Sequence, residues 1–179
     1  MKIDKYDRFT EAYRLAANAH LGQTVKGGKL PYIVHVSEVC FEIFSVLDEL
    51  SDPALALQAA ALHDVVEDTS FPIQTIEQEF GHDVAEAVLA LTKNDQLEED
   101  EQIPDSLARI KKLSKDIWVV KLADRIANLK PPPESWTNEK IKKYHDVSML
   151  IYEELKGANK TLADRLMRRI EAYKNHIES

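Results

Sequence analysis

A histidine and three carboxylates, His63, Asp64, Glu67 and Asp68, follow directly on the apolar run Ala59-Ala60-Ala61-Leu62. Carboxylates this dense beside apolar side chains repel one another and resist burial unless a cation neutralises them. Positions four apart on a helix share a face, which stacks Glu67 near His63 and Asp68 near Asp64. The stretch offers metal ligands on one turn and acid/base groups on the next.

Two further His-Asp doublets lack this setting. His82-Asp83 opens a helix after Gly81, where an acid meets the positive end of the helix dipole. His145-Asp146 sits in mid-helix behind two lysines. Both are expected to be structural or surface residues. A second kind of pair also occurs twice, as Leu122-Ala123-Asp124-Arg125-Ile126 and Leu162-Ala163-Asp164-Arg165-Leu166. Asp124 is set among Val119, Val120, Leu122, Ile126 and Leu129, where an acid is costly unless paired or metal-bound. Asn128, one turn on, shares its face. Asp164 is followed by Arg165, Arg168 and Arg169 and reads as part of a solvated face, so Asp124 is the better ligand. His35 stands after a glycine-rich, lysine-bearing loop and before a core helix.

The elements that must position these residues are helical throughout. Glycine and proline are scarce, hairpin dipeptides are absent and strand-like alternation is nearly so. Helices are expected over 7–21, 36–50, from Asp52-Pro53 through the His63 stretch, 72–80, 82–92, up to about 114, 117–129, 137–155 and 160–177. Asp52-Pro53 is a strong start, an N-cap followed by proline at the first helical position. Residues 22–31 read as a loop bending at Gly27-Gly28, and 94–105, with its run Leu97-Glu98-Glu99-Asp100-Glu101, as a solvated loop. The fold class is all-α, of about eight to ten helices. Nothing marks a boundary, so residues 1–179 are expected to form a single domain.

Apolar residues make up 44% and charged residues 30% of the chain, a soluble balance. The single cysteine, Cys40, rules out an internal disulfide and a thiolate metal site, and reads as a small buried residue in a cytoplasmic protein. The stretch from Met1 to Asp7 is too polar for a signal peptide, and no apolar run is long enough to span a bilayer. A formal net charge of −8 argues against a nucleic-acid polymer as partner, because phosphate backbones need a basic footprint. A small phosphorylated molecule is compatible, given a metal and local cations. So is a homo-oligomer.

The set His35, His63-Asp64 and Asp124 resembles the metal site of the HD superfamily. More specifically, five stretches in order resemble the hydrolase domain of the RelA/SpoT-type alarmone enzymes. They are Ala19-His20-Leu21-Gly22-Gln23, Pro31-Tyr32-Ile33-Val34-His35, the segment from Ala61 to Thr69, Phe80-Gly81, and the segment from Lys121 to Leu129. The resemblance runs from about residue 8 to 155 and implies an HD-domain helical bundle. It implies hydrolysis of guanosine 3′,5′-bis(diphosphate) and its pentaphosphate relative at the 3′-diphosphate with one Mn²⁺. It also implies His35, His63, Asp64 and Asp124 as metal ligands, Glu67 and Asp68 as the groups that activate water and assist the leaving group, and Asn128 at the nucleoside. Two imidazoles and two carboxylates suit a borderline-to-hard divalent ion.

The chain departs from that family in the loop before Pro31, which usually carries an Arg-Lys pair whose arginine packs on guanine. Here it reads Gln23-Thr24-Val25-Lys26-Gly27-Gly28-Lys29-Leu30, about one residue longer. Anchored from the left, Val25 takes the arginine position and Lys26 remains as a substrate-binding candidate. Anchored from the right, Lys26 takes it. In both alignments the stacking guanidinium is missing, and lysine does not replace it. This motivates a second enzyme reading, hydrolysis of another ribose-phosphorylated nucleotide such as NADPH at its 2′-phosphate. A non-enzymatic alarmone-binding regulator is a third.

Overall fold

Asp52 and Pro53 begin a helix as the cap rule requires: the Asp52 carboxylate accepts the Leu55 amide at 3.0 Å, and Pro53 occupies the first turn. In the computed structural model, residues 5–177 are described. They form α1 (Lys5–Ala19), α2 (Ile33–Phe44), α3 (Pro53–Leu62), α4 (Val65–Asp68), α5 (Ile73–Phe80), α6 (His82–Leu91), α7 (Glu99–Ile110), α8 (Lys115–Asn128), α9 (Asn138–Leu155) and α10 (Lys160–Lys174). A 3-10 turn, Leu47–Glu49, follows α2. No strand occurs among the described residues, so the chain is all-α as expected. The first four residues of the polar N-terminal stretch lie outside the described residues. No described helix is long and apolar enough to cross a membrane.

Two helices are buried nearly all round and form the centre. In α3, Ala56 to Leu62 are all buried; in α8, Asp116 to Arg125 are buried apart from Trp118. The two pack on each other, and α2 lies against both. Helices α1 and α6 cover α3, while α9 and α10 cover α8. Ala12 and Ala16 of α1 are fully buried, and small side chains of this kind let it sit close to the alanines of α3. Cys40 is buried in α2, where loss of hydration pushes its thiol up to about 12.

The start of α3 is tied to the start of α8. Asp116, buried in the first turn of α8, accepts the Asp52 amide at 2.7 Å and the Ser51 amide at 3.2 Å. Asp116→Ala would leave both amides without an acceptor and is expected to cost roughly 3 kcal/mol. Thermal unfolding would register this as a fall of about 6–12 °C at this chain length.

Several boundaries differ from expectation. The acidic run is not a loop: Glu99, Asp100 and Glu101 are the first turn of α7, where carboxylates complement the helix dipole. Ile103, Ser106, Leu107 and Ile110 then give α7 a buried face, and Ser106 donates to the Ala90 carbonyl at 2.7 Å. Helix α2 begins at Ile33, so His35 lies within its first turn rather than ahead of it. The loop 22–31 folds back on itself: Thr24 bridges Pro31, and Val25 donates its amide to Leu30 at 2.9 Å. At its tip Gly27 has φ 74°, and a Cβ there would meet Pro133 Cγ at 2.9 Å, so this loop leans on the turn after α8.

Candidate metal centre and active site

The helix expected to run through the His63 stretch breaks there. Helix α3 ends at Leu62, α4 starts at Val65, and His63 and Asp64 form the joint between them. Asp64 takes φ −103°, ψ −2°, the sparsely used bridge region where many site residues sit. His63 donates Nδ1–H to the Ala60 carbonyl at 2.8 Å, which turns Nε2 toward the cluster.

Four side chains meet at that Nε2. Asp64 Oδ2 lies 2.8 Å from it, His35 Nε2 3.3 Å and Asp124 Oδ1 3.8 Å. His35 Nε2 is also 3.4 Å from Asp64 Oδ2 and 3.5 Å from Asp124 Oδ1. The ligand atoms of His35, His63 and Asp64 all lie within 4.8 Å of one another. The residues arrive from α2, the α3–α4 joint and α8. The other Asp124 oxygen is 3.0 Å from Lys121 Nζ, one turn back on α8, and Asn128, one turn forward, donates its amide to Oδ1.

The electrostatics of the cluster call for a cation. Burial disfavours charge on His35, but hydrogen bonds to Asp124 and Asp64 outweigh it and raise its pKa to about 10. Burial likewise opposes charge on His63, and Asp64 overcomes it, raising that pKa too. Burial works against the Asp64 carboxylate, yet the two histidines hold its pKa well below the usual range. Lys121 and His35 do the same for Asp124. The cluster thus draws in protons to balance its buried carboxylates, the demand that a divalent ion meets as well. Two imidazole nitrogens, one of them tautomer-fixed, and two carboxylates fit such an ion.

Glu67 and Asp68 take different partners. Asp68 stays beside Asp64, as the four-residue spacing predicts, because the Tyr32 hydroxyl lies 2.6 Å from Asp64 Oδ2 and 2.9 Å from Asp68 Oδ2. Burial, then the charge of Asp64, push the Asp68 carboxyl up. Burial and the same two carboxylates push the Tyr32 phenol up. His20 stacks on Tyr32 with ring centroids 4.5 Å apart and bonds Gln23 at 2.8 Å; Gln23 donates in turn to the Asp68 carbonyl. Glu67 is drawn to the end of α6, where it accepts the Lys93 amide at 2.9 Å and pairs with the Lys93 ammonium.

These groups open onto one cleft of about 890 Å³. His35, Asp64, Glu67, Asp68 and Asp124 line it, and so do Val25, Lys26 and Asn128. Lys26 Nζ sits 5.7 Å from the Trp136 ring centroid on the far wall. Every candidate site residue is therefore in or beside this cleft. The decoys are elsewhere: His82 pairs with Glu77, His145 with Asp146 and Asp164 with Lys160, and Asp83 is exposed. Sequence reasoning missed Lys93 and Lys121 and gave Tyr32 no role. A lysine three residues before a buried aspartate on one helix was the available signal for Lys121.

The HD domain family matches residues 12–161 of the chain, and an HD domain implies a divalent metal. The guanosine-3′,5′-bis(diphosphate) 3′-pyrophosphohydrolase MESH1 of Xenopus tropicalis is 34% identical over 161 residues, covering 87% of this chain and 89% of that one. The bifunctional (p)ppGpp synthase/hydrolase SpoT of Escherichia coli (strain K12) is 39% identical over 134 residues, 71% of this chain but 18% of that protein. A solved structure described as a metazoan ortholog of SpoT that hydrolyzes ppGpp superposes with a TM-score of 0.81 at 31% identity. It covers 95% of this chain and 96% of that one.

Proposed function

Because the chain belongs to the HD-domain family, among the guanosine-3′,5′-bis(diphosphate) 3′-pyrophosphohydrolases, we propose that it hydrolyses that nucleotide and its pentaphosphate relative. Water attacks the phosphorus bonded to the ribose 3′ oxygen, the P–O3′ bond breaks, and pyrophosphate leaves GDP or GTP behind. The observation that carries this reading is the convergence of two histidines and two aspartates at the edge of a nucleotide-sized cleft that Glu67 and Asp68 also line.

His35, His63, Asp64 and Asp124 would hold the metal, for which we propose Mn²⁺. When bound, such an ion lowers the pKa of water and offsets charge on the attacked phosphorus. Glu67 and Asp68 take the proton from the attacking water and return one to the departing 3′ oxygen. Lys93 fixes Glu67, and Tyr32 holds Asp68 against Asp64. Lys26 and Asn128 contact the substrate from the cleft walls. Residues 1–179 act as one domain in this reading.

A second substrate class is favoured by one observation. The loop that reaches the cleft supplies Val25 and Lys26, and no arginine, to its wall. An adenine nucleotide phosphorylated at the ribose, such as NADPH, is the rival.

Product analysis tests both. Purified protein with Mn²⁺ and guanosine 3′,5′-bis(diphosphate) is expected to release GDP and pyrophosphate, with turnover abolished by EDTA and restored by Mn²⁺. Phosphate release from NADPH without turnover of the guanosine compound would reverse the order of the two substrates.

A further inference from the structure

Arg125 is 6% exposed, and its Nε and Nη1 are buried with no hydrogen-bond partner. The guanidinium lies over the Tyr144 ring, 4.6 Å from its centroid. The Tyr173 hydroxyl, on a residue 3% exposed, is likewise buried and unpartnered. Tyr144 and Tyr173 are neighbours, their ring centroids 5.7 Å apart. Arg125, Tyr144 and Tyr173 come from α8, α9 and α10, and all three line the cleft that also holds His35, Asp64 and Asp124.

Buried polar side chains are nearly always satisfied, and a buried cation with idle donors is costly. Here three donors go unused on one wall of the substrate cleft. Arg125 follows Asp124 directly on α8, about 100° further round the helix at 3.6 residues per turn. One turn of helix thus turns a carboxylate toward the histidines and a guanidinium toward α9 and α10. The planar fork of arginine matches a phosphoryl group's oxygens, and the cation–π contact with Tyr144 holds it in place in advance. A water molecule would satisfy one donor but would not neutralise the charge.

We propose that Arg125 and Tyr173 form an anion subsite that takes the phosphoryl group of the substrate remote from the one attacked, the 5′-diphosphate of the guanosine nucleotide. This rests on the reading above of a nucleotide phosphorylated at two positions. The metal cluster and the subsite then grip the two phosphoryl arms separately, and the subsite selects for nucleotides that carry both.

The test uses the full chain and the variants Arg125→Gln and Tyr173→Phe. In EDTA, inorganic pyrophosphate is expected to raise the unfolding temperature of the native protein, and to raise it much less in either variant. With Mn²⁺ and guanosine 3′,5′-bis(diphosphate), Arg125→Gln is expected to raise KM about tenfold or more, the loss of one charge-assisted hydrogen bond. A guanosine bearing only the 3′-diphosphate should be turned over alike by native protein and variant. Native turnover with an unchanged KM in Arg125→Gln overturns the subsite and leaves the function standing. Absence of native turnover overturns the function, and the pyrophosphate titration alone then decides the subsite. Should Arg125→Gln fail to fold, Tyr173→Phe, which removes one oxygen, decides: an undiminished response to pyrophosphate with an unchanged KM sinks the proposal.

Discussion

Replacing Asp124 by Asn is expected to lower turnover by about 10³-fold, the several kcal/mol that a metal's Lewis acidity would supply, and to lower metal binding with it. Asp164→Asn, the same change in the other Ala-Asp-Arg copy, is expected to leave both within about twofold. The contrast follows from the surroundings of the two copies, not from the Ala-Asp-Arg motif they share. Asp124 is buried, points Oδ1 at His35 and His63, and takes Lys121 on its other oxygen. Asp164 is an exposed partner of Lys160, a pair of a kind worth roughly 0–1 kcal/mol. Asn keeps the shape of Asp but strands Lys121, so circular dichroism should accompany the assay: breaking a buried pair costs about 3–5 kcal/mol. Titration of Mn²⁺ by calorimetry beside the kinetics checks both halves. Equal losses in the two variants would remove Asp124 from the ligand set.

The second large effect is at Glu67. Glu67→Gln is expected to lower kcat by roughly 10²–10⁴-fold, the contribution of a positioned acid/base group, while Mn²⁺ affinity stays near native. Glu67 stands apart from the four-residue cluster, its oxygens engaged by the Lys93 amide and ammonium. Gln preserves an acceptor for the amide but gives up the charge, the basicity and the ion pair with the Lys93 ammonium. A fall in kcat with intact metal binding separates this role from that of a ligand. Loss of both together would make Glu67 a ligand instead.

What was legible in the sequence had local causes. Asp52-Pro53 caps its own helix, Gly81 divides α5 from α6, and three prolines stop α8; each acts on its own neighbourhood. Acids in apolar company marked Asp64 and Asp124, since burial of charge is costly wherever the chain goes. The acidic run at 98–101 misled because its charge hid the period of Ile103, Leu107 and Ile110, which decides that α7 packs. The break at His63 was illegible because every residue around it is compatible with a continuing helix; only the pull of Asp64 toward His35, Tyr32 and His63 needs it. Tyr32 and Lys93 had no local signal at all: their partners are 32 and 26 residues away.

Asp116 lies where α3 and α8 both begin, and the His-Asp cluster lies where each has run on for several turns. From Asp52 to His63 the chain climbs about 16 Å, and from Asp116 to Asp124 about 12 Å, at 1.5 Å per residue. The carboxylate on the Asp52 amide is the common zero mark of those two measurements, like the pivot of a pair of dividers. A slip of one residue between the helices displaces Asp124 from His63 by about 1.5 Å, whereas metal coordination tolerates about 0.2 Å. The spacing of the cluster therefore depends in part on two hydrogen bonds at the far end of the helices that carry it, made by a side chain outside the cleft.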